Sequence, residues 1–516
     1  MKNKSLSASF FKNDLAVLIY LALAKLLIHF FFNGGYGYFR DELYYMACGD
    51  NLALGFVDHP PLIAFITRFT RMILGDSLFA LRFFPALAGA LVVFLTGLIV
   101  RELGGRRFAQ ILAAVAVMVS GIFLGMHNIL TMNAFDHLFW TLSAYLMIRI
   151  LKTNNPKLWI LLGIVLGFGL LNKYSMLFFG FGLVIGLLLT HNRKYFLSRW
   201  IWLSGMVAFL IFLPNLIWQV GHRWPTLEFM KNATLYKNVA LSPLEFLAGQ
   251  ILEMHPFNFP ILLIGLSHFL FSKSGKPYQL FGWMYIALFL LFVLTRSKTY
   301  YFAPIYPVMF AEGAVGIGQF IQSGKRRAWL KSVSLSFLIL GGLLTAPIVL
   351  PVLPVDSYIK YESCLGISHP PSENHEMGPL PQLYADMFGW ETMAATVAEV
   401  YGQLSPEEKK QCAIYVQNYG EAGAIDFFGR KHGLPKAISG HNNYWLWGLR
   451  GYNKANIVIM LGGCEADYKR AFKKIKQVAT FRHKYVMPYE NNLPVYLCRG
   501  IRLPLKGLWP YFKHFD

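Results

Sequence analysis

The stretch GGYGYFRDELYYMACGDNLALGFVDHPPL, residues 34–62, gathers acids and aromatics between two long apolar runs. Within it Asp41 and Glu42 are followed by Tyr44 and Tyr45. A helix that begins at Asp41 places Tyr44 and Tyr45 at i+3 and i+4, so that one carboxylate and two phenols share a small volume. A carboxylate partly walled by aromatic rings is suited to act as a general base toward a hydroxyl. The same residues also fit a structural reading, with Asp41 as a helix cap or partner of Arg40 and the tyrosines as interfacial anchors. The residue types leave the two readings level.

Further charged groups stand at the ends of apolar runs. Asp58, His59, Pro60 and Pro61 close the first loop as a rigid turn. The segment LIAFITRFTRMIL after it has the spacing of an amphipathic helix lying in a membrane interface, with Arg68 and Arg71 snorkelling. Arg82 opens the second apolar run, either snorkelling or holding a phosphate beside the acidic loop. Asn133 and Asp136 lie in HNILTMNAFDHLFW, where an intramembrane acid is a functional candidate. Lys173 in GLLNKYS and Lys298 in RSKTYYFAPIYP suit recognition of an anion such as a lipid phosphate, with snorkelling as the structural alternative. Tyr300, Tyr301 and Tyr306 form an aromatic belt or contact a sugar or phosphate.

The elements that must position these groups are mostly membrane helices. Of 516 residues 55% are hydrophobic and only 15% charged, a composition that excludes an ordinary soluble globular protein. Segments long and apolar enough to span number about eleven, near 15–33, 78–100, 108–126, 129–150, 157–171, 175–191, 200–220, 247–271, 279–295, 300–320 and 330–351. With a cytoplasmic N-terminus, MKNK, RELGGRR, RILKTNNPK, HNRKYFLSR, SKSGK and SGKRRAWLK all fall inside, each basic and nearly free of acid. The net charge of +21 is thereby read as a topology signal, not as a nucleic-acid surface. The N-terminal run reads as an uncleaved signal anchor. An odd number of spans puts the first loop, residues 221–246 and everything after Pro351 outside the cytoplasm.

The composition changes after Pro351. The expected organisation is a transmembrane domain at 1–352, with an extracytoplasmic loop at 34–77, a linker at 353–382, and an extracytoplasmic α/β domain at 383–516. In the last, strands are expected at CAIYVQ and NIVIML and a helix at GEAGAIDFFGRK. GGCEAD lacks nucleotide-loop spacing and reads as a strand-to-helix turn. HNNYWLWGLRGY reads as a carbohydrate-binding surface or as a loop packed on the core. His369, Glu373, His375 and Glu376 lie among prolines that preclude a regular metal-binding helix, so no metal site is expected. Five cysteines include no CxxC pair, and a disulfide among Cys412, Cys464 and Cys498 is left open.

The ordered set FRDELYY, His-Pro-Pro, Arg-Phe-Phe-Pro-Ala-Leu, GLLNKYS and SKTYYFAPIYP resembles the GT-C glycosyltransferases, in particular the bacterial members of the protein O-mannosyltransferase and lipid A aminoarabinose transferase group. The resemblance covers the membrane part, about two thirds of the chain. It implies an all-α polytopic membrane bundle in the bacterial inner membrane, to which the α/β domain expected from the patterning of 383–516 is attached. It implies an inverting transfer of sugar from a polyprenyl phosphate to a protein, lipid A or envelope-glycan acceptor, with no cofactor. By motif position Asp41, with Glu42 beside it, takes the place of the family's reaction-centre acid. Tyr45, His59, Arg82, Lys173, Lys298 and Tyr301 fall at the donor site, although His59 stands where many relatives have lysine. Asn133 falls where relatives have a second acid, and Asp136 is about one turn further on. A transporter or flippase of a lipid-linked sugar is the alternative, but no inverted repeat supports it.

Overall fold

The computed structural model describes residues 14–367 and 373–516; His369 lies outside them. The chain divides into two compact units, the first comprising residues up to 35, 79–216 and 240–358, and the second 36–78, 217–239 and 359–516.

Among the described residues the secondary structure of the first unit is helical. Among the described residues four helices are long and apolar enough to cross a membrane, Asp14–Phe32, Leu78–Glu102, Arg199–Gly221 and Lys325–Val349, and counting each of two bent pairs as one span gives up to six. A helix lies in every segment where a span is expected, yet length and hydropathy alone do not reach eleven. The physical reason is interruption. The segment expected at 108–126 is divided at Ser120, whose backbone is extended between helices Arg107–Val119 and Gly121–Met126. The segment expected at 247–271 bends by 96° between Pro243–Met254 and the helix that follows. There His255 has φ of 86° and precedes Pro256, which disfavours continued helix. Lys157–Asn172, with 16 residues, is only roughly 24 Å long.

Polar side chains meet the carbonyls that the first interruption frees. Lys25 Nζ donates to the Met118 carbonyl at 3.4 Å, and Asn258 Nδ2 donates to that of Ala116 at 2.9 Å. Such pairing is required wherever helix is broken in an apolar medium. Helices Phe259–Phe271 and Tyr306–Gln322 cross where Gly265 meets the Met309 carbonyl and Gly313 that of Ile261. Any side chain at either glycine would collide with the opposing backbone.

Among the described residues the second unit carries one sheet, in the order β1-β2-β4-β3. β1 (Cys412–Tyr415) and β2 (Ile457–Leu461) are parallel, and β4 (Leu493–Ile501) is antiparallel to both β2 and β3 (Phe472–Phe481). The first two strands and helix Tyr419–Phe428 lie where the hydrophobic patterning expects them. After β2, Gly462 and Gly463 turn the chain at φ of 76° and 68° into the short helix Glu465–Tyr468. All five cysteines are free thiols, so no disulfide joins Cys412, Cys464 and Cys498.

In this unit helix Arg40–Asp50 lies against helix Tyr419–Phe428. A Cβ on Gly423 would stand 2.9 Å from the Leu43 backbone, so the approach is possible only for glycine. Helix Leu62–Leu74 buries Ile63, Ala64, Thr67 and Thr70. Phe65, Phe69, Met72 and Ile73 remain exposed at helical spacing, as an interfacial helix would leave them. Snorkelling does not describe Arg71, which bonds Asp50 at 2.7 Å and Asp76 at 2.5 Å. Arg68 lies 3.4 Å from Asp50.

Candidate active site

Asp41 sits in the first turn of helix Arg40–Asp50 and accepts a hydrogen bond from the Tyr419 hydroxyl at 2.9 Å. Arg40 Nε lies 3.7 Å from the same carboxylate. Its guanidinium also reaches Asp386 at 3.6 Å and Glu373 at 4.0 Å, donates to the Tyr489 hydroxyl at 2.6 Å, and lies over the Tyr419 ring. Burial alone would lower the Arg40 pKa, but Asp386, Tyr419, Tyr489 and Glu373 hold it well above the ordinary arginine value. Burial pushes the Asp386 carboxyl up to about 7, against the opposing pull of Arg40. Glu421 and Glu490 adjoin this network through Asn418, and burial raises both carboxyls.

Exposure separates the acids. The Asp41 side chain is 29% exposed, against 10% for Glu373 and 1% for Asp386. Glu42 is fully buried and accepts from the Phe39 backbone N–H at 2.8 Å, so it caps its own helix. Tyr419 also fills the place in which the phenols at i+3 and i+4 are expected. The Tyr44 hydroxyl is turned to Asp58 at 2.8 Å, and its ring lies 4.6 Å from that of Tyr419. Burial raises the Asp58 carboxyl, with His59 and Tyr44 acting against it. Tyr45 is buried with its ring edge-on to His59, and burial followed by the charge of Asp41 keeps its phenol protonated.

His59 has no exposed surface. Its Nδ1 donates to the Pro60 carbonyl at 2.8 Å, and its Nε2 lies 3.8 Å from Cys48 Sγ. Its ring stacks on Phe56. Enclosed in this way, His59 shapes the wall behind Tyr44 and Tyr45 and presents nothing to a phosphate.

In the first unit Lys173 caps helix Lys157–Asn172 and donates to Asn133 Oδ1 at 2.5 Å. Asp136 lies 4.0 Å from the same ammonium and accepts from the Ser175 hydroxyl at 2.7 Å. The ammonium stands over the rings of Tyr301 at 4.7 Å and Tyr300 at 5.4 Å, close enough to Lys298 for the two charges to act on each other. Asn133, Asp136, Lys173, Lys298 and Tyr301 thus belong to one cluster. Arg82 does not join it; fully buried, it donates to the Asn33 carbonyl at 2.7 Å and ties the end of the first helix to the start of the next.

Among the described residues one group has ligand-like spacing for a metal, His441, His514 and Asp516, with ligand atoms within 4.8 Å of one another. Their nitrogens are already engaged, His441 Nε2 with the Asp516 carbonyl at 2.8 Å and His514 Nε2 with that of Gln417 at 3.1 Å. Glu373 and His375 take other partners, Arg40 and the Tyr489 ring. HNNYWLWGLRGY holds the short helix Asn442–Leu446, with Asn442, Asn443 and Tyr444 buried and Asn443 accepting from the Val57 N–H at 2.6 Å.

Tyr419, Asp386 and Glu490 were not legible as site residues. Tyr419 stands 378 positions from Asp41 in sequence, and no local motif links them.

The family model described as dolichyl-phosphate-mannose-protein mannosyltransferase matches residues 58–218. Lipid A galacturonosyltransferase RgtD of Rhizobium johnstonii is 25% identical over 274 residues, 51% of this chain and 56% of the relative. The chain thus matches only about half the length of that curated relative. Among solved structures, ArnT from Cupriavidus metallidurans bound to undecaprenyl phosphate gives a TM-score of 0.60 at 14% identity, covering 93% of this chain and 97% of the other. The Archaeoglobus fulgidus oligosaccharyltransferase gives 0.51 at 11% identity, covering 87% and 70%. Likeness over nearly the whole of both chains establishes a shared fold with ArnT.

Proposed function

We propose that this chain, whose fold is that of the GT-C glycosyltransferases, is an inverting transferase that moves a sugar from a polyprenyl phosphate to an extracytoplasmic acceptor. The observation that carries this reading is the exposure of Asp41 among otherwise enclosed acids, with its carboxylate aimed by Tyr419. A general base must meet its substrate, and of the acids around Arg40 it is Asp41 that has the surface to do so.

The acceptor hydroxyl gives its proton to an Asp41 oxygen as its own oxygen bonds to C1 of the sugar. The C1–O bond to phosphate breaks on the opposite face, so the anomeric centre inverts and the lipid leaves as its phosphate. Lys173 and Lys298 are assigned to the negative charge that develops on that phosphate. Tyr301 holds Lys173 in place by a cation–π contact. Glu42 positions Asp41 by capping its helix, and Asp136 with Asn133 positions Lys173. Tyr45 is assigned to the wall of the sugar site; His59 and Arg82 have packing roles. The names of the relatives support a lipid-phosphate donor and an acceptor such as lipid A, another envelope glycan or a protein. We place the chain in the inner membrane with its N-terminus cytoplasmic and its C-terminal residues outside, as the basic segments require.

Asp41→Asn, assayed in membranes supplied with labelled polyprenyl-phosphate sugar, lowers transfer by about 10²–10⁴-fold. Transfer at the wild-type rate removes Asp41 from the chemistry. We further propose that the fixed lysines serve in place of a divalent ion. Activity lost to a chelator and restored by a divalent metal overturns that part, and loss of the restored activity in His441→Ala would then point to His441, His514 and Asp516.

A further inference from the structure

β3 forms one edge of the sheet in the second unit, paired only with β4. Lys473, Lys474 and Lys476 project from it and are exposed. Lys474 stands directly opposite Arg499 on β4, a pairing of like charges that by itself destabilises a sheet. With Lys469 and Arg502 these residues line a concave cavity of about 730 Å³ whose one acid is Glu465, a volume within the usual range for small-molecule sites. Glu465 is already paired with Lys469 at 3.2 Å, and Arg499 with Glu408 at 2.9 Å. Arg502 Nε donates to the neutral Phe472 carbonyl at 3.2 Å. Lys473, Lys474 and Lys476 have no acidic partner among the described residues. From Lys469 to Lys506 the chain carries ten lysines and arginines (Lys469, Arg470, Lys473, Lys474, Lys476, Arg482, Lys484, Arg499, Arg502, Lys506) and one acid, Glu490, which is buried.

Lysines on an edge strand ordinarily guard it against pairing with another chain. That role explains charges along β3. It does not explain the gathering of Lys469, Arg499 and Arg502 from the neighbouring helix and strand around the same cavity, nor the like-charge pair within it. Lys474 and Lys476 lie two residues apart, about 7 Å along the strand. That spacing suits two anionic groups carried on one sugar unit. A flat anionic bilayer, by contrast, would be met by a convex or planar face.

We propose that this cavity binds a saccharide bearing two or more phosphate groups. It is a site for an anionic ligand on the second unit, distinct from the acid cluster around Arg40. The proposal stands apart from the transferase reading, because binding is measured without donor lipid or turnover.

The test uses the full chain in discs of uncharged lipid, titrated calorimetrically with fructose bisphosphate, fructose and inorganic phosphate. The bisphosphate binds, more tightly than either control, and its affinity falls as salt is added. In the double variant Lys474→Gln/Lys476→Gln it binds about tenfold or more weakly. Thermal melting of that variant equals or exceeds the wild type, since the like-charge contact is gone and the fold kept. Equal binding by variant and wild type overturns the proposal, as does inorganic phosphate binding as tightly as the bisphosphate. A wild type that ignores the bisphosphate but adheres to vesicles of anionic phospholipid overturns it too, and makes the face a membrane-docking surface.

Discussion

Around Arg40 a single guanidinium is shared by Asp41, Glu373 and Asp386, whereas around Lys173 an ammonium rests on two tyrosine rings, a neutral amide and one acid at 4.0 Å. The first arrangement sets three carboxyls about Arg40, with Lys237 a further 4.0 Å from Glu373, and the second leaves positive charge only partly met. An excess of carboxylate beside a partly exposed acid suits proton acceptance. A cation cushioned by aromatic faces and neutral oxygen keeps most of its charge for a ligand. Under the proposed function the acid-rich cluster accepts the proton and the lysine cluster holds the anion.

The contrast can be broken most severely at Arg40. Arg40→Met strips the shared cation from buried Asp386 and Glu373, and unfolding free energy falls by about 3–5 kcal/mol, measured by chemical denaturation of the full chain. A loss under one kcal/mol would mean that the acids are satisfied by other partners. At Lys173 the expected damage is functional. Lys173→Gln keeps a donor for Asn133 but removes the charge, so KM for the lipid-linked donor rises about 10-fold. An unchanged KM would detach this cluster from the donor phosphate.

A further effect concerns pH. Asp386 has a folded-state pKa of about 7, above its unfolded value of about 3.9. The native state therefore holds more protons than the unfolded chain between those values, and its stability falls as pH rises from about 4 to 7. Asp386→Asn flattens that slope in thermal melts taken across the interval. A slope that persists in the variant assigns the effect to Glu421 and Glu490 instead.

How much of this was legible in the sequence follows from how local each feature is. Asp41 was singled out because Glu42, Tyr44, Tyr45 and the ordered motifs surround it within a short stretch. The reading of Tyr44 failed because helical spacing names neighbours on one helix, and Tyr419 arrives from another. Helices were located by apolar runs. Interruptions at Ser120 and His255 were missed, since a run stays apolar across breaks whose freed carbonyls, those of Met118, Ala116 and Met254, are met by Lys25 and Asn258. β3 and β4 escaped notice for a related reason. Edge strand FKKIKQVATF buries Phe472 and Phe481 at its ends and leaves lysines between, without the alternation that marks a half-buried strand.

Gly423 brings a separate lesson about tolerance. Its missing side chain lets the Tyr419 helix settle against Leu43, and that seating sets the aim of the Tyr419 hydroxyl at Asp41. The margin available to the proposed base is therefore the width of one methyl group, held by a residue near the other end of the chain. Grafting a foreign C-terminal segment onto these helices must preserve a glycine there, or the carboxylate loses its alignment while every residue of the first loop stays unchanged.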